Sequence, residues 1–309
     1  MIEFFGKLGE YLGFPIAASE HALGIDHMNG WIHWLMIVLF IGWGIFFIVT
    51  LVKFGIMKND DSKADYEGVK NHYSTYAEYG VILFEVFLLI AFAIPVWKSL
   101  KTEVPEITKD TVEIRVIAQQ FAWNIHYPGA DGKFGNTSIY LVDEMENPIG
   151  LDRDSEFGAD DIVTSNQLNI PVGKDIMIYL SSKDVIHGFS LPEMRVKQDA
   201  IPGMTVPVFF KATLTSKEFL EKIMYADAEL KQYSQRYEPD TYYGLDEDIW
   251  ENVMNDRSKN QYRGYQISCA QLCGNSHYKM RGFMTVQTEE EFQVWLNENA
   301  PEEDDEDDW

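Results

Sequence analysis

Two long stretches of unbroken apolar character stand near the start of the chain, and a period-two texture takes over after about residue 110. Residues 31–54, WIHWLMIVLFIGWGIFFIVTLVKF, are apolar on every face until Lys53. At about 1.5 Å per residue they can cross a hydrocarbon core of roughly 30 Å. Residues 79–97, YGVILFEVFLLIAFAIPVW, make a second run, ended by Pro95, Trp97 and Lys98. Two such runs joined by a polar loop predict a transmembrane hairpin with helices at about 31–54 and 78–99, and Trp and Tyr at the ends match interfacial belts. The loop 55–77 carries Lys58, Lys63 and Lys70, which direct it to the cytoplasm; its acidic residues count for little in that rule. Both termini and the large C-terminal part are then expected outside. Residues 1–30 lack the basic start and continuous apolar core of a signal peptide, and are expected to form a lead-in at the outer interface.

From about 110 onward, VEIRVIAQQFAWNIHYP, QLNIPVGKDIMIYL, HGFSLPEM, MTVPVFFKATL, GYQISC and GFMTVQ read as strands bounded by Gly, Pro, Asn or Asp. Short strands with few helices between them predict an all-β sandwich or barrel. TEEEFQVWLNENA, 288–300, closes as a short helix, with Thr288 and Glu291 at capping-box spacing. Two segments read as insertions: 129–166, a long loop rich in Gly, Asp and Asn, and 216–261, which has apolar residues at helical spacing. The chain therefore divides into a lead-in (1–30), a hairpin (31–100), an outer domain (101–300) and an acidic tail, PEEDDEDDW (301–309), disordered by composition.

The 309 residues, 46% of them hydrophobic, suffice for one outer domain and a few membrane helices. The net charge of -24 argues against nucleic acid as a partner and would attract a basic protein in a salt-dependent way, besides keeping the chain soluble.

Both cysteines of the protein lie in one twelve-residue stretch, CAQLCGNSHYKM, 269–280. A disulfide between Cys269 and Cys273 would be strained, because bridge geometry demands a set Cα separation and facing Cβ vectors. Zinc would accept Cys269, Cys273 and His277 as three of four tetrahedral ligands but has no use for the thioether of Met280. Thiolate, imidazole and thioether together are the soft set that selects copper, although a single Met more often only packs. Further upstream, DVIHGFSLPEMRVKQDAIPG (184–203) places His187 just after an apolar β-branched stretch and a polar turn.

His187 followed by C-x3-C-x3-H-x2-M closely resembles subunit II of the haem-copper cytochrome c oxidases. The blocks DVIH…LP…K-x-DAIPG, CAQLCGNSHYKM and the aromatic segment AQQFAWNIHY (118–127) carry the resemblance. It implies a membrane α+β chain: an N-terminal two-helix hairpin followed by a cupredoxin-like Greek key barrel with a helical insertion. It also implies the binuclear copper centre CuA, two copper ions bridged by the thiolates of Cys269 and Cys273. His187 and Met280 complete one copper; His277 and the backbone carbonyl of Gln271 complete the other. Gly274 permits the backbone angles of a tight loop. Electrons from cytochrome c, or from a membrane-bound c-type cytochrome in a supercomplex, would pass to haem in subunit I, where oxygen is reduced and protons are pumped. Subunit III is a further partner, and the home is the inner membrane of a bacterium, with the copper domain on the periplasmic side.

The resemblance also places Glu78 at the mouth of a proton-uptake path, Asp199 beside the copper-to-haem route, and Phe121 with Trp123 at the point of electron entry. An interfacial carboxylate and a turn-forming Asp are the plainer readings of the first two. Three departures stand out. Phe121 replaces the usual entry tryptophan. Gln271 lacks the carboxylate that helps hold magnesium at the subunit I interface. Met204 stands where an arginine usually follows DAIPG. Glu85, deep in the second apolar run, takes no role from the resemblance and is expected to face a partner subunit, since an intramembrane acid needs a partner or a proton. A membrane-anchored zinc protein is the main rival. A quinol oxidase subunit lacks these ligands, a nitrous oxide reductase needs more histidines than the seven present, and a copper-delivery protein needs no hairpin.

Overall fold

The computed structural model describes residues 14–56, 71–101, 104–220, 222 and 264–301, and these fall into two units. The expected acidic tail (302–309), most of the loop between the apolar runs and nearly all of the second insertion lie outside the described residues.

The first unit holds the apolar helices. α1 (Ala22–Leu51) runs into a π-helical turn at Val52–Ile56. α2 (Tyr73–Leu88) continues through a π-helical stretch, Leu89–Ala93, into α3 (Ile94–Lys101). The wide turn precedes Pro95, which cannot donate to the carbonyl four residues back and whose ring crowds it. Two spans, Ala22–Gly55 and Tyr73–Lys98, are long and apolar enough to cross a bilayer. Phe40, Trp43, Phe46, Leu83 and Phe87 are exposed on them, an arrangement suited to lipid or neighbouring helices rather than water. The rings of Trp31 and Phe92, 6.2 Å apart, join the two spans. α1 begins at Ala22 rather than at 31, because nothing in ALGIDHMNG forbids a helix.

The second unit is a β domain of ten strands: β1 (Val112–Gln119), β2 (Ala122–Tyr127), β3 (Ile162–Ser165), β4 (Gln167–Pro171), β5 (Asp175–Ser182), β6 (His187–Leu191), β7 (Val196–Ala200), β8 (Val206–Lys211), β9 (Gln266–Cys269) and β10 (Arg281–Gln287). They form two five-stranded sheets, β3-β2-β1-β5-β8 and β4-β10-β9-β6-β7. The β1–β5 and β10–β4 pairs are parallel and the others antiparallel. Alternate residues turn inward, as period two requires: Ile114, Val116 and Ala118 from β1, Ile176, Ile178 and Leu180 from β5, Met284 and Val286 from β10. With Trp123, Tyr127, Leu168 and Phe189 they make one core between the sheets. This is the two-sheet β domain that the strand pattern predicted. α4 (Glu289–Asn299) closes it, with the capping box between Thr288 and Glu291 formed.

Two features differ from the sequence expectation. AQQFAWNIHY is no single strand: the chain reverses at Gln120–Phe121, and β1 pairs with β2 as a hairpin. No Gly, Pro, Asn or Asp marks this turn; it is fastened from outside, where Asp184 Oδ2 accepts from Gln120 N at 2.7 Å and Asn166 Oδ1 accepts from Trp123 N at 2.9 Å. The first insertion also ends in β3 and is an ordered structure. Its anchor is Asp161, fully buried, whose carboxylate accepts from the amides of Gly129 and Gly135 and pairs with His126 at 2.5 Å. Of the second insertion, residues 216–220 are described and begin a helix, with Thr215 and Glu218 capping each other.

Residues 15–22 belong to the β unit rather than to the helices. Ala18 N donates to Glu193 O, Thr213 N donates to Ala18 O, and the Ser19 hydroxyl donates to Met194 O at 2.7 Å. Ala18 is fully buried by this docking.

Candidate metal centre

β9 and β10 form a hairpin whose connection is the loop 270–280, closed at its base by Cys269 N donating to Met280 O. β6 lies antiparallel beside β9, with Phe189 opposite Cys269, and Ala270 N donates to Gly188 O at 2.8 Å. Residue 188 must be small. A Cβ there would lie 2.8 Å from Gln271 N, so glycine lets the strand approach the loop closely enough to bring His187 beside the cysteines.

Donor atoms from five side chains and one carbonyl converge at this end of the domain. The two Sγ atoms are 3.8 Å apart. Cys269 Sγ lies 3.2 Å from the carbonyl oxygen of Gln271 and 3.9 Å from His187 Nδ1. Cys273 Sγ lies 3.5 Å from His277 Nδ1 and 3.7 Å from Met280 Sδ, and Met280 Sδ lies 3.1 Å from His187 Nδ1. Among the described residues, His187, Cys269 and Cys273 bring their ligand atoms within 4.8 Å of one another, a grouping that could hold a metal ion. His187, Cys273 and Met280 are buried, while Cys269 and His277 are partly open to solvent. Both thiols are free of any disulfide. Burial, reinforced by the hydrogen bond and charge of the neighbouring Cys269 sulfur, pushes the Cys273 thiol up to about 11. Binding of a cation at Cys273 would therefore release its proton.

The loop is fixed from outside as well. Gly274 sits at φ +131°, and a Cβ there would lie 2.7 Å from the Gln120 amide nitrogen and 3.2 Å from the Phe121 ring. Gln120 Nε2 in turn donates to Cys273 O at 2.6 Å. The reversal between β1 and β2 therefore props the loop, and Phe121, half-buried, lies against it. Trp123 does not reach the surface. Strand alternation turns it inward, where it is fully buried with its ring 6.2 Å from that of His187 and 5.4 Å from that of Phe189.

Asp184 is the residue that composition and spacing did not single out. Its Oδ1 pairs with His187 Nε2 at 2.8 Å and accepts from Val185 N at 2.7 Å. With Nε2–H donated to the carboxylate, Nδ1 carries the lone pair that faces Met280 and Cys269. Partial burial works against the Asp184 charge, but the hydrogen bonds from His187, Gln120 N and Val185 N outweigh it and hold the carboxyl below its ordinary value. A sequence signal existed: Asp184 precedes His187 by one turn-like step in DVIH.

The other residues singled out from the sequence stand apart from this cluster. Asp199 on β7 pairs across β6 with Gly188, next to the His187–Ala200 pair. Met204 is exposed after the turn that follows β7. Glu78 and Glu85 lie in α2, exposed, seven residues apart and so on one face of the helix.

Comparison with known proteins now bears on this geometry. The family model described as cytochrome C oxidase subunit II, periplasmic domain, matches residues 112–219. The alternative cytochrome c oxidase subunit 2 of Bradyrhizobium diazoefficiens is 28% identical over 214 residues, 69% of this chain and 58% of that one. Cytochrome c oxidase subunit 2 of Thermostichus vulcanus is 31% identical over 137 residues, 44% of this chain and 27% of that one. The match thus spans less than two thirds of either relative's length. Among solved structures, the periplasmic domain of subunit II of cytochrome oxidase from Bradyrhizobium japonicum aligns with 63% of this chain and 96% of its own, at 24% identity and a TM-score of 0.34. Over residues 112–219, which hold strands β1 to β8 and the ligand candidate His187, the chain is thus similar to the periplasmic domain of cytochrome c oxidase subunit II.

Proposed function

We propose that this chain is the electron inlet of a respiratory haem-copper oxidase, with His187, Cys269, Cys273, His277, Met280 and the carbonyl of Gln271 holding a pair of copper ions. The observation that carries the reading is the donor set: two cysteine sulfurs 3.8 Å apart, flanked by two imidazoles, a thioether and a carbonyl. Zinc takes four ligands and would leave the thioether idle, whereas five soft and borderline donors with one carbonyl suit two coppers. When bound, such a pair supplies one-electron transfer with no position left open for substrate.

The residues of this chain do the rest. β6, β9 and β10 carry the donors on the rigid frame of the second sheet, so the arrangement is set before metal arrives. Asp184 fixes the tautomer and the plane of His187, and Gln120 holds the loop at Cys273 O. Trp123, Phe189 and the buried Met280 keep water from the inner side. Phe121 lies between the loop and the surface, the place for electron entry. Cytochrome c, or a membrane-bound c-type cytochrome, is the donor in this reading, and haem in subunit I is the acceptor. Subunits I and III are the partners, and the two spans anchor the chain in the inner membrane of a bacterium with the β domain on the periplasmic side. Glu78 serves proton uptake. Asp199 lies on the strand next to the ligand strand, toward the acceptor. The magnesium role lacks its carboxylate at Gln271.

Copper loading of the purified full chain tests this. A coloured protein with two coppers per chain, its signal lost in Cys273→Ser, is expected. A colourless protein with one zinc per chain would replace the inlet with a structural clasp.

A further inference from the structure

The outer face of the first sheet and the first insertion enclose a cleft of about 980 Å³ that the copper chemistry does not use. Because side chains alternate along a strand, Glu113 and Arg115 of β1, His126 of β2 and Tyr179 of β5 turn away from the core and line it. Register sets three of them in a row across the sheet, with His126 and Tyr179 on either side of Arg115. Phe134, Ile139, Val142 and Ile149 of the insertion bring apolar surface to the same space. The insertion is pinned from within: Asp161 holds the amides of Gly129 and Gly135, and Asn147 side-chain atoms bond Leu141 O, Leu151 O and Leu151 N. The cleft is therefore pre-formed, and the metal donors are carried by strands of the other sheet.

Its polar groups are incompletely matched. His126 is fully buried and donates Nε2–H to Asp161, which leaves the Nδ1 lone pair facing no donor. A buried acceptor left bare is costly, and one that lines a cleft can be satisfied by a ligand. Arg115 is half-buried, with its guanidinium 4.2 Å from the centre of the Phe134 ring and Nη1 donating to Gly135 O at 3.3 Å. Among the described residues no carboxylate forms an ion pair with it, and burial pulls it below its ordinary value despite the charges of Asp161 and Glu113 farther off. Glu113 Oε2 accepts from Tyr179 Oη at 2.6 Å, while Oε1 bonds nothing among the described residues. Lys183, also on the cleft, is already engaged by Glu144. A cation, an anion and a bare acceptor on one face, beneath an apolar roof, match a ligand of no net charge with a charged group at each end and an N–H between.

We propose that this cleft binds a short apolar peptide by both ends, its carboxylate on Arg115, its ammonium on Glu113 and its peptide N–H on His126 Nδ1. Glu113 and Arg115 are two residues apart on β1, roughly 6.6 Å at about 3.3 Å per residue. The charged ends of an extended dipeptide are separated by roughly 6–7 Å, so one ligand spans both. Its apolar side chains cover Ile139, which is 82% exposed, and lie against Val142 and Ile149. The site stands apart from the electron-inlet reading and holds whichever metal the cysteines take.

The test is calorimetric titration of leucyl-leucine into the full chain in lipid nanodiscs. N-acetyl-leucyl-leucine and leucyl-leucinamide each remove one charge from the ligand, and methylation of its peptide nitrogen removes the N–H, all without touching the protein. The free dipeptide is expected to bind, and each altered form to bind about tenfold more weakly, the worth of one hydrogen bond to a charged or buried group. Arg115→Gln should weaken the free dipeptide about tenfold and abolish its advantage over the amide. Glu113→Gln should do the same with respect to the acetylated form. Val294→Ser on α4, exposed and outside the cleft, should change nothing. No binding by the parent chain, altered dipeptides that bind as well as the free one, or variants that still discriminate against the form they should tolerate would overturn the proposal.

Discussion

Replacing Asp184 by alanine isolates what a residue outside the donor set does for it. The carboxylate makes three bonds: to His187 Nε2 at 2.8 Å, to Gln120 N at 2.7 Å and to Val185 N at 2.7 Å. The two amides lie near solvent and water can replace the acceptor they lose, so their share of the cost is small. His187 is fully buried, and its freed Nε2–H finds no such replacement. The ring then loses the bond that selects its tautomer and aims Nδ1 at Met280 and Cys269. Loss of such a partner weakens metal binding by about 10–100-fold, or about 1.4–2.7 kcal/mol at 1.36 per decade. Competition for copper against a chelator of known affinity measures it directly. Asp184→Asn keeps an oxygen toward His187 and is expected to lose less than tenfold. Alanine without effect would refute the positioning role, and asparagine as costly as alanine would show that charge, not orientation, is what matters.

Met280→Leu preserves volume, so the folded domain should change by less than about 1.5 kcal/mol in chemical denaturation while copper affinity and spectrum change; if both stay the same, Met280 only packs. Phe189→Ala removes a fully buried ring that packs against Trp123 and should cost about 3–5 kcal/mol of unfolding free energy; a cost below 1 would mean the core relaxes around it. Because the hydrogen bonds at Asp184 hold its folded-state value below the unfolded 3.8, its contribution to stability is present above that value and is lost as pH falls through the folded one. An acid titration of the metal-free chain should therefore be shallower in Asp184→Asn, and superimposable curves would deny the coupling. Glu85→Gln should permit assembly with the other oxidase subunits and Glu85→Lys should not, read by co-purification; equal assembly would place Glu85 toward lipid or water.

Much of the site was legible because its chemistry is local. Four donor side chains sit within CAQLCGNSHYKM, and a soft set of that spacing limits the metal from sequence alone. The apolar spans were legible for a similar reason, since length and the absence of charge are sequence properties. What the chain's order concealed was tertiary. Nothing local joins Gln120 to Cys273, yet that hydrogen bond across the sheets fixes the loop. The reversal at Gln120–Phe121 has no turn-forming residue because its fastening comes from Asp184 and Asn166, distant in sequence. Trp123 is expected with Phe121 at the point of electron entry, and only the register of β2 shows that it turns inward. The first insertion read as a plain loop because Asp161, the buried carboxylate that orders it, is indistinguishable in composition from its exposed neighbours.

Stepwise reductive titration of the copper-loaded full chain, with the metal counted in the same sample, is the most direct test of the shared pair. One electron taken up for every two coppers, with the signal vanishing in a single step, is the result expected of donors arranged around two bridging sulfurs. Two electrons per two coppers, or one electron per single copper, would mean that Cys269 and Cys273 do not bridge a shared centre.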